Sequence, residues 1–371
     1  MKKMLILLLV VVFAASMAFV GTSCKKEAVE EAVEEEAAPA EEAVEEEEEK
    51  IPETEPYTVG YLVPNSAEGQ VMFMNSFRQY AEEEGMEVID VNADNNVEKQ
   101  DRQFSDLISQ GVDALVVVPV DSKVIVASIE RATGAGIPVF GVDRQPFSSE
   151  TVMTVMSNNY LAGQQAAKFL VDRLTEKYGE SKGIVLEVTG DLGTNVAQLR
   201  GSGFNDKMAE YPNIEVITEP TDWLPETGAD VVQNAFTVQP NIDAIYWHSD
   251  FTGAGIIPAL DEIGLLKPIG EEGHIIICGI DGDPNALNNI RLGNQDATVN
   301  QPLLDFGILA KFVKMYLDGK ELTTGTYEQE GATWSPAEIE ESEYGLTMLL
   351  STWMVTKENV DDPTLWGNTG N

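Results

Sequence analysis

Two observations predict an α/β protein made of two similar, doubly wound parallel-sheet lobes. From Tyr57 onward, apolar strand-like runs alternate with helical patterns, the mark of βαβ units and a parallel sheet. One module also occurs twice. Its first copy is 112–118 (VDALVVV) followed, after a helix-like segment, by 137–144 (IPVFGVDR). Its second is 242–247 (IDAIYW) followed by 275–283 (IIICGIDGD). The copies are offset by 130 residues at the first strand and 138 at the second. Each ends its second strand in Gly-apolar-Asp, which presents a carboxylate at a strand's carboxyl end. Open parallel sheets bind ligands at that edge, so two such halves imply two lobes facing one cleft.

The elements follow in order. Strands are expected near 58–63, 86–91, 113–118 and 137–142, with helices near 67–84, 97–110 and 121–134. A crossover near 157 leads into a second series. Its strands are expected near 183–188, 213–218, 243–247 and 274–280, and its helices near 158–177, 195–210, 226–239 and 252–263. Pro225 suits the first turn of the helix it opens, where the missing N–H costs nothing. Residues 297–300 read as a further strand, 302–318 as a helix and 346–356 as a late strand. Periodicity alone leaves open whether the lobes share one sheet; the duplicated module favours two.

Composition excludes one class of partner. The chain of 371 residues carries 63 acidic and 23 basic side chains, a formal net charge of −40. Nothing would neutralise the phosphates of a nucleic acid. Residues 25–50 hold thirteen Glu and three Lys, and the remaining body, 51–371, still carries −32. The two cysteines are Cys24 and Cys278. Cys278 sits in an apolar run and reads as a small buried hydrophobe. A disulfide would have to tie the extreme N-terminus into a core strand, which disfavours it. Two His without paired Cys do not fit the usual zinc spacings.

The N-terminus reads as an export signal. Lys2 and Lys3 precede an apolar run over 4–20, followed by small residues. No later run approaches eighteen apolar residues, so no later membrane-spanning helix is expected. Residues 20–24 (VGTSC) resemble a bacterial lipobox with Cys24 as the lipidated residue, although Gly21 stands where Leu is usual. The alternative is free secretion, with cleavage after a small residue such as Ala18. Signal peptide 1–23 would then be followed by a lipidated Cys24 and an acidic, disordered tether to residue 50. Its flexible reach is roughly 30 Å, extended further by self-repulsion.

Rival chemistries lack their motifs. No Gly-x-Gly-x-x-Gly sits at a strand–helix turn. Residues 190–194 (GDLGT) do, but without a Walker lysine, and Thr194 reads there as a helix cap. Residues 281–285 (DGDPN) superficially match a calcium loop, yet its sixth position is Ala286 and its twelfth Leu292. His248 and His274 belong to no nucleophile motif, Gly-x-Ser-x-Gly is absent, and 201–203 (GSG) reads as helix packing. No cofactor, metal or catalytic residue is expected.

A family likeness is carried by 136–144 (GIPVFGVDR), 193–204 (GTNVAQLRGSGF), 279–282 (GIDG), 298–302 (TVNQP) and 360–368 (VDDPTLWGN). On these motifs, residues 57–356, about four-fifths of the chain, resemble periplasmic sugar-binding proteins of the ribose/galactose type. The body also shares the architecture of the lac-repressor family's ligand domain. An export signal and an acidic body argue against the repressor. The resemblance implies the type I periplasmic-binding fold: two lobes joined by three hinge crossovers, closing on a ligand. The first lobe would comprise 57–157 plus 302–330, the second 158–301 plus 331–371.

The resemblance also implies a site. A sugar needs carboxylates to accept its hydroxyls, Arg to donate, and an aromatic face for its C–H surface. Matching positions are Asp143 and Arg144 from the first lobe, and Arg200, Trp223, Asp281 and Gln301 from the second lobe and hinge. Trp223, in 221–225 (TDWLP), would stack on the sugar. Asn65 on the first strand's loop, Thr194, Ser249 and Asp250 complete the candidate set. The sequence departs from the ribose pattern at Gly69-Gln70, where an aromatic pair is expected and Phe73 is a weak substitute. It departs again at Val118 and at Ser249. The implied function is that of an extracytoplasmic solute-binding protein of an ABC importer. It would be a monomer, lipid-anchored at Cys24, that carries a monosaccharide or polyol to a membrane permease. A sugar or furanosyl-signal sensor is the alternative, and a sugar-acting enzyme a distant third.

Overall fold

The computed structural model describes residues 55–369. The expected signal segment, Cys24 and the acidic tether lie outside the described residues. The chain runs β1 (Thr58–Val63), α1 (Glu68–Glu83), β2 (Glu87–Asn92), α2 (Val97–Gln110), β3 (Ala114–Val117), α3 (Val126–Gly134), β4 (Val139–Val142) and β5 (Thr151–Ser157). It continues through α4 (Asn159–Tyr178), β6 (Gly183–Thr189), α5 (Asn195–Met208), β7 (Ile214–Pro220), α6 (Pro225–Val238), β8 (Ala244–Trp247) and α7 (Asp250–Glu262). Then come β9 (Ile276–Asp281), α8 (Pro284–Leu292), β10 (Ala297–Asn300), a 3-10 turn (Leu303–Ile308) and α9 (Leu309–Leu317). Last are β11 (Gly325–Tyr327), β12 (Ala337–Ser342), β13 (Gly345–Leu350) and β14 (Trp353–Thr356).

The strands sort into two sheets, in the orders β11-β12-β13-β5-β4-β3-β1-β2 and β14-β10-β9-β8-β6-β7. The parallel cores of both read 2-1-3-4-5, as β2-β1-β3-β4-β5 and β7-β6-β8-β9-β10. The duplicated sequence module therefore falls on equivalent strands, β3 with β4 and β8 with β9. Every residue of β3, β4 and β8 is buried, as expected of parallel strands covered on both faces. Alternate side chains feed opposite cores: Val59 and Tyr61 on one face of the first sheet, Leu62 on the other. Val185 and Leu186 divide in the same way in the second. Cys278 is fully buried in β9. The chain passes between the sheets three times: after β5, after β10 and after β13.

The lobe boundary read from sequence needs correction. Residues 331–350 do not join the second sheet. There β13 pairs in parallel with β5, and β12 returns antiparallel to it. Ala337, Ile339, Met348 and Leu350 enter the first lobe's core. The single strand expected over 346–356 is two strands, β13 and β14, one in each sheet. They are separated by Ser351 and Thr352, where the chain crosses. Strands β5, β11 and β12 had no counterpart in the sequence reading, and the expected helix over 302–318 opens with the 3-10 turn. A short apolar run signals burial but not which distant strand it pairs with.

Helices α4 and α5 set the geometry of the second lobe. They touch backbone to backbone: a Cβ at Gly203 would stand 2.0 Å from the Tyr160 carbonyl oxygen, and one at Gly163 2.2 Å from that of Arg200. The GSG run is thus a packing element, and the contact fixes the turn of α5 that carries Arg200. We expect Gly203→Ala to force the helices apart and destabilise the protein by about 1–3 kcal/mol. Urea denaturation reads this as a lowered midpoint; an unchanged midpoint would show that the helices can part without cost.

Candidate functional site

A cavity of about 210 Å³ lies at the carboxyl edges of both sheets. Eight of the ten sequence candidates line it: Asn65, Asp143, Arg144, Arg200, Trp223, Ser249, Asp281 and Gln301. The first sheet delivers Asp143 and Arg144 immediately after β4. Gln70 of α1 donates its amide to Asp143 Oδ2 at 3.1 Å. The Arg144 guanidinium lies 3.7 Å from the same oxygen, donates to the Pro119 carbonyl at 3.0 Å, and sits 5.7 Å over the Trp223 ring. Burial raises the Asp143 pKa against the pull of Arg144 and Gln70, and burial lowers that of Arg144.

The second lobe contributes a denser network. Arg200 of α5 donates through Nε to Asn159 Oδ1 at 2.8 Å. One terminal nitrogen donates to the His248 carbonyl and to Asp281 Oδ1, the latter at 3.0 Å. Asp281, the last residue of β9, accepts from Ser249 Oγ at 2.6 Å and from the Gln301 amide. Its carbonyl accepts the Trp366 indole N–H at 2.7 Å. Trp223 packs on Gly190, where a Cβ would stand 2.1 Å from the ring. Five non-glycine residues among those described have positive φ, and three of them line this cavity: Asp143 at 63°, Trp223 at 74° and Asp281 at 127°. Such backbone costs of order 1–3 kcal/mol each and clusters at functional sites.

Two sequence candidates are not brought into the cavity. Thr194 caps α5: its hydroxyl donates to the Asp191 carbonyl at 2.7 Å and accepts from Ala197 N–H. Asp250 is buried beneath the site. It accepts from Trp247 Nε1 at 2.8 Å, Thr298 Oγ1 at 2.6 Å and the Gly282 N–H at 2.8 Å. Burial pushes its pKa well up, and the nearby Asp283 and Asp281 add to this. It holds the loop after β9 from below. Asn65 lines the cavity, but its amide is already engaged, with Ala67 N–H and with Asn95.

Other lining residues were not among the sequence candidates, including Glu68, Gln70, Phe251, Asp283 and Trp366. Gln70 stands where the resemblance led one to expect an aromatic. Trp366 lies in the C-terminal motif 360–368, a signal that pointed to the family but not to the site. Gln70 and Gln301 share one arrangement. Each spends its amide nitrogen on a carboxylate, and each has a buried carbonyl oxygen with no hydrogen-bond partner. Buried acceptors of this kind need a donor. The cavity itself sets carboxylates, guanidiniums and an indole ring side by side.

Comparison with known proteins agrees with this geometry. A family described as periplasmic binding protein domain matches residues 59–321. The ribose import binding protein RbsB of Bacillus subtilis is 32% identical over 254 residues, covering 68% of this chain and 78% of that protein. The D-apiose import binding protein of Actinobacillus succinogenes is 29% identical over 252 residues, covering 66% and 77%. Among solved structures, a carbohydrate transporter solute-binding protein from Agrobacterium radiobacter in complex with D-arabinose has a similar fold. Its TM-score is 0.71 at 19% identity, covering 83% of this chain and 97% of that one. The family is one of substrate-binding proteins rather than enzymes. This chain belongs to the periplasmic binding protein family.

Proposed function

We propose that the protein is the extracytoplasmic solute-binding component of an ABC importer, which takes up a monosaccharide or related polyol between its lobes and hands it to a membrane permease. The observation that carries this reading is the pairing of two carboxylate–guanidinium sets across one cavity. Asp143 and Arg144 come from the first lobe, Arg200 and Asp281 from the second, with the Trp223 ring beside them. Vicinal hydroxyls can donate to a carboxylate and accept from a guanidinium at once, and charge-assisted bonds of this kind are the strong ones. The Trp223 face suits the C–H surface of a sugar ring. The import role draws on the relatives, which are named as import binding proteins for ribose and apiose. A lipid on Cys24 would hold the body at the membrane surface, within reach of the permease. Among the described residues, no helix is long and apolar enough to cross a membrane.

Two expected outcomes follow. By calorimetry with the sugar that binds the purified protein, Arg200→Ala and Asp281→Ala each weaken affinity roughly 10- to 150-fold, the worth of one charged hydrogen bond. Thr194→Ala instead costs about 1 kcal/mol of stability through the lost helix cap and leaves affinity nearly unchanged. Unaltered affinity in both charge variants would remove these residues from the site. Separately, Cys24→Ser shifts the protein from the membrane to the soluble fraction on cell fractionation. Equal partitioning of the two forms would rule out the lipid anchor and leave free secretion.

A further inference from the structure

The two carboxylates of the duplicated module are held very differently. Asp281 takes side-chain hydrogen bonds from three groups, Arg200, Ser249 and Gln301. Asp143, its counterpart in the first lobe, takes one among the described residues: the Gln70 amide donates to Oδ2 at 3.1 Å. The Arg144 guanidinium lies 3.7 Å from the same oxygen, an ion pair beyond hydrogen-bond length. No described residue donates to Oδ1, yet Oδ1 is not among the sealed, unpartnered side-chain atoms, so it opens on the cavity that Asp143 lines.

Gln70 occupies a place where packing calls for an apolar side chain. The buried face of α1 is Gln70, Phe73, Ser76, Phe77 and Ala81, and Gln70, Phe73 and Phe77 follow the i, i+3, i+7 spacing of a core stripe. Phe73 and Phe77 enter the first lobe's core. Gln70 opens the stripe at 8% exposure, and its carbonyl oxygen is sealed without a partner. A buried acceptor left unpaired costs stability, so the amide does not serve the core. What it does serve is Asp143, 73 residues away. The resemblance led one to expect an aromatic pair at Gly69-Gln70, and this chain carries an amide there instead.

We propose that Gln70 is a positioning residue of the ligand site: it acts through Asp143, whose carboxylate it orients so that Oδ1 is left for a ligand hydroxyl. This role rests on the sugar-binding reading above and deepens it. The charged and titratable groups that face Asp143 are Arg144 on its own loop, Arg200 of α5, Asp281 of β9 and Tyr61 of β1. Burial raises the Asp143 pKa and Asp281 adds to the rise, while Arg144, the Gln70 amide and Arg200 oppose it. Removing the amide therefore moves the protonation of Asp143 to higher pH. A protonated carboxyl is a weaker acceptor than a carboxylate, so ligand affinity falls as the pH drops through that range.

The test is calorimetry on the full mature protein with a panel of pentoses, hexoses and polyols, followed from about pH 4.5 to about pH 8 for the sugar that binds. Gln70→Met keeps the length of the side chain and removes the amide. Gln70→Glu keeps the length and the polarity and sets a like charge beside Asp143. In Gln70→Met the affinity near neutral pH is expected to fall roughly 3- to 10-fold, the scale of one lost hydrogen bond. The acid limb of its affinity profile moves to higher pH, and its urea midpoint stays level or rises. In Gln70→Glu the acid limb moves further in the same direction. If Gln70→Met does not fold, Gln70→Glu decides by itself. A lowered urea midpoint with the acid limb left in place would make Gln70 a structural residue and overturn the positioning role. Affinity and acid limb unchanged in both variants would overturn it as well, leaving the sugar-binding reading standing. Failure of the unaltered protein to bind any member of the panel would overturn the sugar-binding reading, and the role of Gln70 with it.

Discussion

A buried guanidinium must be neutralised and fully hydrogen-bonded, or it costs several kcal/mol. Much of the second lobe's arrangement meets that demand for Arg200. Its partners come from three different elements: Asn159 at the start of α4, the His248 carbonyl beyond β8 and Asp281 at the end of β9. They can meet only if α4 and α5 approach at backbone contact, which Gly163 and Gly203 permit. They also require β8 and β9 to be parallel neighbours, so that the residue after β8 and the last residue of β9 come out at the same edge. Asp281 is then held in turn by Ser249, Gln301 and, through its carbonyl, Trp366. The ion pair is thus the point where a helix pair, two strand ends, the hinge after β10 and the C-terminal segment are joined.

The same corner stores backbone strain. Asp143, Trp223 and Asp281 all adopt positive φ, a conformation their Cβ atoms disfavour. Each is held there by main-chain bonds from elsewhere. Asp143 N–H donates to the Val155 carbonyl, the Trp223 carbonyl accepts from Thr252, and Gln301 N–H donates to the Asp281 carbonyl. Strain so localised aims side chains at the cleft instead of along their strands. The two copies of the Gly-apolar-Asp module share this device and then diverge. Asp143 is followed by the cationic Arg144, whereas Asp281 is followed by Gly282 and the helix-capping Asp283. A duplicated scaffold thereby presents a guanidinium on one side and a helix-capping carboxylate on the other.

The candidate site was legible where chemistry and motif coincided. Asp143, Arg144, Arg200, Trp223, Asp281 and Gln301 stand at positions whose residue types suit a polyhydroxyl ligand, and all six line one cavity. Thr194 and Asp250 looked equivalent in sequence but serve the scaffold. A cap and a buried carboxylate carry the same polar atoms as a ligand contact, and only their partners distinguish them. Gln70, noted only as a departure from the ribose pattern, and Trp366 were left out of the candidate set for the opposite reason. Nothing local marks an amide on α1 or an indole near the C-terminus as neighbours of Asp143 and Asp281, which are 73 and 85 residues away.

By itself the sequence determined the α/β class, the two equivalent lobes and most strands and helices. These depend on local periodicity and on a repeat that any chain segment carries within itself. It also determined the acidic character that excludes nucleic acid. The tertiary structure alone decided that residues 331–350 complete the first sheet and that the run at 346–356 is divided between the two lobes. It alone decided that Glu68 of α1 and Asp283 beside α8 line the same cavity. Strand partnership and cavity lining are relations between distant segments, and they become definite only once the chain has folded.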